Sequence, residues 1–287
     1  MTAVATLPLA RSPHELRRQV RAWKQDGLSV GLVPTMGALH EGHLSLVRLA
    51  RERCDRVAVS LFVNPAQFSP TEDLDRYPRQ EAKDQALLTD AGCDLLFAPA
   101  ADAMYPQGFS TAITVGGVSD GLEGAFRPEM FGGVATVVAK LLIAAEPDVA
   151  VFGEKDYQQL LVIRRLVRDL DLPVEVIAGP TVREEDGLAM SSRNAYLDER
   201  QRRIAGRLNL ALADAARRAT KGEVVAAIEK DTAAELLEAG FDGVDYVAIR
   251  KADDLAAFAD KTDAPARVLA AVRIGGTRLI DNLAVGA

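Results

Sequence analysis

This 287-residue chain contains little of several residue types, and each shortage excludes a class of protein. Its two cysteines, Cys54 and Cys93, are too few for a disulfide framework, and both adjoin apolar segments that predict buried, reduced thiols. No apolar run approaches the roughly 18 residues that a membrane-spanning helix needs. The N-terminus has no basic segment followed by a long apolar one. We therefore expect no signal peptide, and a soluble cytoplasmic protein.

The charge balance is acidic and the aromatic content is low. Lys and Arg number 34 against 41 Asp and Glu, giving a net charge of −7. This argues against broad nucleic-acid binding, which needs a basic surface. An anionic substrate would have to be attracted by a local cluster of positive side chains. Aromatic residues make up only 5% of the chain, so Ala, Val and Leu must build the core.

Short apolar segments alternate with amphipathic helices up to about residue 183. This predicts βαβ units and an α/β fold with a Rossmann-like parallel sheet flanked by helices. The predicted strands are residues 29–33, 57–63, 94–97, 149–152 and 174–177, with a β-like segment at 111–115. The predicted helices are residues 13–26, 44–53, 81–91, 131–145 and 157–170.

The pattern changes in the last hundred residues. Two long amphipathic helices, residues 199–219 and 223–239, precede strands at 246–249, 267–274 and 278–283, with a hairpin turn at Gly275-Gly276. We expect residues 1–183 to form the larger, ligand-binding domain and residues 184–287 a smaller α+β domain that acts as a lid.

His40-Glu41-Gly42-His43 holds two of the three histidines. The motif follows a glycine-bearing turn and precedes an amphipathic helix, so both imidazoles would project from one face near a helix N-terminus, which favours an anion. Ordinary structural histidines are the simplest alternative. A zinc site is disfavoured, because the zinc-protease motif spaces its histidines i,i+4 and the third histidine, His14, lies on another predicted helix.

Three polar segments, residues 34–43, 64–68 and 153–156, follow predicted strands directly. The carboxyl ends of parallel strands share one sheet edge, where ligands bind in this fold class. Lys155 is therefore a candidate phosphate ligand, and Asp156 could cap the next helix or contact ribose or Mg²⁺. Taken alone, this charged turn could be merely solvated.

Two further features carry polar groups suited to a ligand. Ser191, Ser192 and Arg193 lie in a loop between the predicted domains, where hydroxyls beside an arginine can grip phosphate oxygens. Gln67 and Gln159 are neutral hydrogen-bond formers, and Gln159 should share a face with Lys155.

The order and spacing of these motifs resemble the pantothenate synthetase (pantoate–β-alanine ligase) family, within the HIGH-motif nucleotidyltransferases. The resemblance is dense over residues 33–197 and weaker in the last hundred. It rests on the segments 34–43, 64–68, 74–79, 104–106, 132–138, 152–159 and 190–194.

The resemblance implies a two-step reaction with ATP as a substrate. Pantoate is adenylated with loss of pyrophosphate, and the amine of β-alanine then displaces AMP. Mg²⁺ would be bound mainly through ATP, with no confident protein ligands. The implied partners are pantoate, β-alanine and ATP, with no nucleic acid and no membrane, in a homodimer.

The resemblance also implies residue roles. The implied catalytic residues are His43, as proton donor, with His40, Lys155 and Arg193. The implied ATP-binding residues are Met36, Gly37, Ala38, Leu39, His40, Glu41, Gly42, His43, Gly153, Glu154, Lys155, Asp156, Val182, Met190, Ser191, Ser192 and Arg193. Gln67 and Gln159 would hold pantoate, with Gln67 also near β-alanine.

One departure leaves alternatives open. Glu129 and Met130 replace the Gly-His pair usual in the family, which adds negative charge near a predicted anion site and removes a hydrogen-bond donor. A non-enzymatic nucleotide-binding or regulatory protein is therefore a competing hypothesis. Another is a HIGH-type nucleotidyltransferase with a phosphorylated acceptor, although Gln67 and Gln159 suit a neutral site better. A tRNA synthetase is disfavoured by the acidic charge and the lack of a large RNA-binding domain.

Overall fold

The computed structural model describes residues 7–70 and 72–286. The first sheet contains β1 (Leu9–Ala10), β2 (Val30–Thr35), β3 (Arg56–Leu61), β4 (Leu95–Phe97), β5 (Val149–Gly153) and β6 (Glu175–Gly179). The second contains β7 (Gly243–Lys251), β8 (Ala266–Ile274) and β9 (Thr277–Ala284). The helices are α1 (Pro13–Gln25), α2 (Glu41–Arg51), α3 (Glu81–Asp90), α4 (Ala101–Met104), α5 (Glu123–Phe126), α6 (Met130–Ala145), α7 (Tyr157–Asp169), α8 (Glu199–Ala205), α9 (Arg207–Thr220) and α10 (Val225–Glu238). Short 3-10 turns lie at Pro65–Gln67, Glu154–Asp156 and Ser192–Tyr196.

The first sheet is parallel, with the strand order β1-β4-β3-β2-β5-β6. The predicted α/β class is confirmed. From β2 the chain runs outward through β3 and β4, and it later returns to the other side of β2 as β5 and β6. The order therefore reverses between β2 and β5, and the loops that leave these two strands diverge. Such a reversal opens a crevice at the carboxyl edge of the sheet.

Both faces of this sheet are buried, which explains why its strands read as continuous apolar runs. One face packs Leu32 and Ala58 against α1, α6 and α7. The opposite face packs Val33, Val57 and Val59 against α2 and α3. The alternation along β2 and β3 thus places neighbouring residues in two separate cores.

The second sheet is antiparallel, in the order β7-β8-β9, and packs on α9 and α10 around its own apolar cluster. This is the smaller α+β unit that the sequence predicts. Gly275 and Gly276 form the β8–β9 turn with φ of 56° and 78°, as glycine allows. The boundary after residue 183 stays a prediction, and Arg183 itself is bound to Asp281 of β9 at 2.7 and 2.9 Å.

Three element predictions need correction. Residues 111–115 are rich in β-branched side chains but form no strand. The Ile113 N–H donates instead to the Thr136 hydroxyl at 3.0 Å. β-propensity alone does not supply a neighbouring strand. The predicted helix at 199–219 is divided at Gly206, where a Cβ would lie 2.4 Å from the Asp186 carboxylate. Helix α2 begins at Glu41 rather than residue 44, so His40 caps it.

In the part of the chain that the structure describes, no helix is both long enough and apolar enough to cross a membrane.

Candidate active site

A cleft of about 640 Å³ lies at the carboxyl edge of the parallel sheet, where the strand order reverses. Its opposite wall comes from the smaller unit and includes the β8–β9 turn. Of the residues that the sequence predicts for the site, the following line the cleft: Met36, His40, Gly42, His43, Gln67, Gly153, Lys155, Asp156, Gln159, Val182, Met190, Ser191, Ser192 and Arg193. The structure therefore brings together segments that are far apart in the sequence.

His40 and His43, hereafter the histidine pair, have ring centroids 4.1 Å apart at the start of α2. His40 Nδ1 accepts the Gly42 N–H at 3.2 Å, and His43 Nδ1 accepts the His40 N–H at 3.4 Å. Each ring uses Nδ1 as an acceptor, so Nε2 carries the proton in the neutral form. The pair thus combines helix capping with an Nε2–H donor on each ring.

The histidine pair is neutral at physiological pH. Burial, and then the charge of Lys155, lower the pKa of His40 to about 4. Burial, and then His40 and Lys155, lower the pKa of His43 to about 3. In this state His43 is a hydrogen-bond donor rather than an imidazolium acid.

Residues 37–39, hereafter the glycine turn, connect β2 to the histidine pair but do not line the cleft. Gly37 and Ala38 both have positive φ, at 90° and 52°. The carboxylate of Asp84 accepts the N–H groups of Ala38 and Leu39, each at 2.9 Å. Glu41 also stays outside the cleft, where it pairs with Arg48. The turn therefore acts through the backbone that it shapes.

The segment after β5 is held by the smaller unit. The Asn282 amide donates to the carbonyls of Glu154 and Lys155 at 3.0 and 2.9 Å. The Glu154 side chain points away from the cleft lining and pairs with Arg267 at 3.2 Å. Lys155 Nζ lies 3.8 Å from Asp156 and lines the cleft. Of these residues, Lys155 and Asp156 are the ones that can meet a ligand.

Residues 190–193, hereafter the serine loop, close over the glycine turn. The Ser192 hydroxyl donates to the Ala38 carbonyl at 3.0 Å, and Met190 N–H donates to the Val182 carbonyl at 3.0 Å. Arg193 donates two hydrogen bonds to Asp73, both at 2.9 Å. The loop thus carries its hydroxyls and its arginine to the histidine side of the cleft.

The turn that carries Gln67 is fixed by contacts within its own sequence motif and with α6. The Asn64 amide donates to Gln67 Oε1 at 3.0 Å and to the Gly133 carbonyl at 3.1 Å, and Asn64 is almost fully buried. Gly133 of α6 lies so close that a Cβ there would be 2.1 Å from the Ala66 carbonyl oxygen. Gln159 lines the same cleft from α7.

The chain has relatives over nearly its whole length. A sequence profile described as Pantoate-beta-alanine ligase matches residues 8–284. Pantothenate synthetase from Caulobacter vibrioides is 57% identical over 280 residues, covering 97% of this chain and 98% of that protein. Pantothenate synthetase from Paramagnetospirillum magneticum is 58% identical over 277 residues, covering 96% and 97%.

Solved structures agree. Pantothenate synthetase from Thermus thermophilus superimposes with a TM-score of 0.89 at 49% identity, over 97% of this chain and 99% of that one. The pantoate–β-alanine ligase of Francisella tularensis, described as complexed with beta-gamma ATP and β-alanine, gives 0.83 at 32% identity and 98% of both chains.

The chain belongs to the pantoate–β-alanine ligase family.

This ligase-family chain departs from the family pattern at Glu129 and Met130. One of these residues lies outside the cleft, and the other lines it. Glu129 is exposed and does not line the cleft, so the expectation that its charge lies near the anion site is not supported. Met130 does line the cleft, and its sulfur contacts the Arg127 guanidinium. Arg127 is also bound to the Glu72 carboxylate and to the Gln67 carbonyl at 3.3 Å.

The cleft of this ligase-family chain is less positive than the sequence suggests. Its arginines are mostly paired with carboxylates in the described residues: Arg127 with Glu72, Arg193 with Asp73, and Arg278 with Glu123 and Asp245. The local positive cluster exists, but carboxylates occupy part of its hydrogen-bonding capacity.

Sequence reasoning missed several residues that line the cleft. Asn64 carries a signal, since it directly follows the predicted strand 57–63 and shares a motif with Gln67. Tyr77 also carries a signal, since it lies in the segment 74–79 on which the family resemblance rests, whereas Glu123, Tyr246 and Arg278 carry none. Glu123 is nearly buried and accepts hydrogen bonds from Arg278 at 2.6 and 2.7 Å and from Tyr246 at 2.8 Å. This group joins the two units across more than a hundred residues of sequence.

Proposed function

We propose that this chain is an ATP-dependent ligase that joins pantoate to β-alanine through a pantoyl-adenylate intermediate. The observation that carries the proposal is the convergence, in one cleft, of the histidine pair, Lys155, the serine loop and the two glutamines. The family membership supports the same reaction. The products are pantothenate, AMP and pyrophosphate.

In the first step, a pantoate carboxylate oxygen attacks the α-phosphorus of ATP and the bond to the pyrophosphate oxygen breaks. Negative charge develops on the α-phosphate oxygens and on the departing pyrophosphate, so fixed donors there lower the barrier. The Nε2–H groups of the histidine pair are such donors, and their neutral state needs no proton uptake. Lys155 and Arg193 supply positive charge to the same phosphates.

The full set of nucleotide-binding residues is taken from the family resemblance. We assign ATP binding to Met36, Gly37, Ala38, Leu39, His40, Glu41, Gly42, His43, Gly153, Glu154, Lys155, Asp156, Val182, Met190, Ser191, Ser192 and Arg193. Within this set, Gly37, Ala38, Leu39, Glu41 and Glu154 stand outside the cleft lining, so they act by holding the lining residues.

In the second step, the amine of β-alanine attacks the acyl carbon of the adenylate. The acyl–oxygen bond breaks, AMP leaves, and the amine loses a proton to the medium. Gln67 and Gln159 hold pantoate, and Gln67 also lies near β-alanine. The turn that carries Gln67 is rigid because Asn64 and the close approach of Gly133 fix it.

The adenylate must be protected from water, which a lid can do. Contacts between the two units support a lid formed by residues 184–287. They include the Tyr157 hydroxyl on the Ala252 carbonyl at 2.7 Å and Arg267 stacked 3.9 Å from the Tyr157 ring centroid.

Mg²⁺ fits this cleft as a cation held mainly by the nucleotide. In the described residues no three His, Cys, Asp or Glu side chains converge into a metal cage, and Asp156 is a carboxylate that faces the cleft. When bound, Mg²⁺ would neutralise triphosphate charge.

Isotope exchange tests the function directly. Protein with ATP, Mg²⁺ and pantoate should catalyse pantoate-dependent exchange of labelled pyrophosphate into ATP without β-alanine. Addition of β-alanine should then yield AMP and pantothenate. ADP as the product, or nucleotide binding with no exchange, would refute the ligase and favour the alternatives.

Two further expectations concern the whole protein. We propose a cytoplasmic homodimer, on the basis of family membership alone. Light scattering across a range of protein concentrations measures the oligomeric state, and a monomer at micromolar concentration would contradict the dimer.

A further inference from the structure

Asp84, in the first turn of α3, has a carboxylate that is completely buried, with 0% exposure. Its two oxygens each accept one backbone N–H from the glycine turn, Oδ2 from Ala38 and Oδ1 from Leu39, both at 2.9 Å. In the described residues no lysine or arginine forms an ion pair with it. The negative charge is therefore compensated by two peptide groups.

Such an arrangement contributes little to the stability of a fold. A buried carboxylate without a cationic partner loses most of its hydration, and an apolar residue would fill the same space at lower cost. What the carboxylate adds is geometry, because two acceptor oxygens fix two successive N–H groups in one orientation. The turn needs this restraint, since Ala38 has a φ of 52°, which is unfavourable for a residue with a Cβ.

The glycine turn also positions the groups that would face the phosphates. Its last residue directly precedes His40, which caps α2 and holds the His43 ring through its own N–H. The carbonyl of Ala38 accepts the Ser192 hydroxyl at 3.0 Å, so one peptide segment anchors the serine loop as well. Asp84 itself does not line the cleft and cannot touch a substrate there.

We propose that Asp84 is a positioning residue for adenylation, because its carboxylate fixes the turn that places the histidine pair and Ser192. The inference rests on the proposed function. A misplacement of about 1 Å in donors aimed at a transition state can cost on the order of 100-fold in rate. Binding of ground-state ATP, which is spread over many contacts, depends less on these donors.

Asp84→Asn is the informative variant. The amide keeps one acceptor oxygen but turns an NH₂ group toward the second peptide N–H. We expect kcat of pantoate-dependent exchange to fall about 10- to 100-fold, while KM for ATP changes less than about threefold. In an imidazole NMR titration, the pKa values of the histidine pair should rise from about 4 and 3 toward the ordinary value, because the loosened turn admits water.

Asp94→Asn is the matched control. Asp94 also accepts a backbone N–H, from Val57 at 2.8 Å, but at the amino end of β3, away from the cleft, and it is paired with Arg51 and Arg56. It should leave kcat and the imidazole titrations unchanged. Equal kcat in Asp84→Asn and wild type would overturn the proposal. So would failure of both Asp84→Asn and the shorter Asp84→Ser to fold while Asp94→Asn folds, since the carboxylate would then serve the fold itself.

The two proposals fail separately. Absence of exchange in the wild type refutes the ligase function. The imidazole titration needs no activity, so unchanged pKa values in Asp84→Asn would refute the positioning role even then.

Discussion

Arg193 and Asp73 lie 120 residues apart in the chain and form a two-point ion pair, with Nε–Oδ2 and Nη2–Oδ1 both at 2.9 Å. Burial alone would raise the pKa of Asp73, but the hydrogen bonds from Arg193 outweigh it and hold that pKa below its usual value. The guanidinium that we assign to the triphosphate is thus already occupied by a carboxylate. A nucleotide that uses the same Nε–Nη2 edge of the guanidinium must displace Asp73.

Asp73→Asn should therefore tighten ATP binding, because an amide competes less well than a carboxylate for the guanidinium. We expect the Kd for ATP, measured by calorimetry, to fall about three- to tenfold, on the scale of one partly buried charged hydrogen bond. Asp75→Asn removes the same charge from a nearby exposed position and should leave Kd unchanged. Weaker binding by Asp73→Asn would show instead that Asp73 prepares Arg193 for the nucleotide.

His43→Ala should depress pantoate-dependent exchange by roughly 100-fold, on the scale of losing one transition-state donor. The measurement is the exchange rate at saturating ATP and pantoate. His14→Ala, an exposed histidine on α1, is the control and should behave as the wild type. Exchange within a factor of about three of wild type in His43→Ala would contradict the assigned role.

The depressed histidine pKa values predict a dependence of stability on pH. Between pH 6.5 and about 4 for His40, or about 3 for His43, the unfolded chain binds protons that the folded chain does not. Stability from these groups is complete above pH 6.5 and is lost as pH falls through that window. Between about pH 7.5 and 5.5, denaturant titrations should show wild type losing about 1 kcal/mol more than His43→Gln. Parallel losses in the two proteins would mean that His43 titrates normally.

Gly133→Ala should weaken pantoate binding selectively. The new Cβ would lie 2.1 Å from the Ala66 carbonyl oxygen and 2.7 Å from the Gln67 nitrogen, and these backbone atoms must move. We expect KM for pantoate to rise about tenfold or more, with KM for ATP nearly constant, because only the turn bearing Gln67 shifts. Gly132→Ala is the control, since its nearest neighbour would be 3.8 Å away. Equal effects of the two substitutions would exclude this explanation.

Met130→His restores a donor at the departure from the family pattern. Arg127, which Met130 contacts, is already held by Glu72 and the Gln67 carbonyl. The local structure therefore does not require a histidine at position 130. We expect kcat/KM for β-alanine to change less than about tenfold, which corresponds to about 1.4 kcal/mol. A larger gain in steady-state assays would show that position 130 limits the enzyme.

Much of the larger unit could be predicted because its signals are local. The capping box of Ser12 and Glu15 sets the start of α1, and buried apolar runs mark β2, β3 and β5. Polar groups directly after those strands had to meet at one edge once the sheet was parallel. The strand prediction for residues 111–115 was wrong because strand formation also requires a neighbouring strand, which no local pattern indicates.

The sequence by itself determined the α/β class, the histidine motif at a helix start and the meeting of the polar groups that follow β2, β3 and β5, because strand ends and helix caps are encoded within a few residues. Only the tertiary structure decided which charges meet. The pairs Asp73–Arg193 and Glu123–Arg278, and the hold of Asp84 on the glycine turn, join residues 46 to 155 positions apart. Those contacts depend on how helices and sheets pack, and packing is a property of the whole chain rather than of any segment.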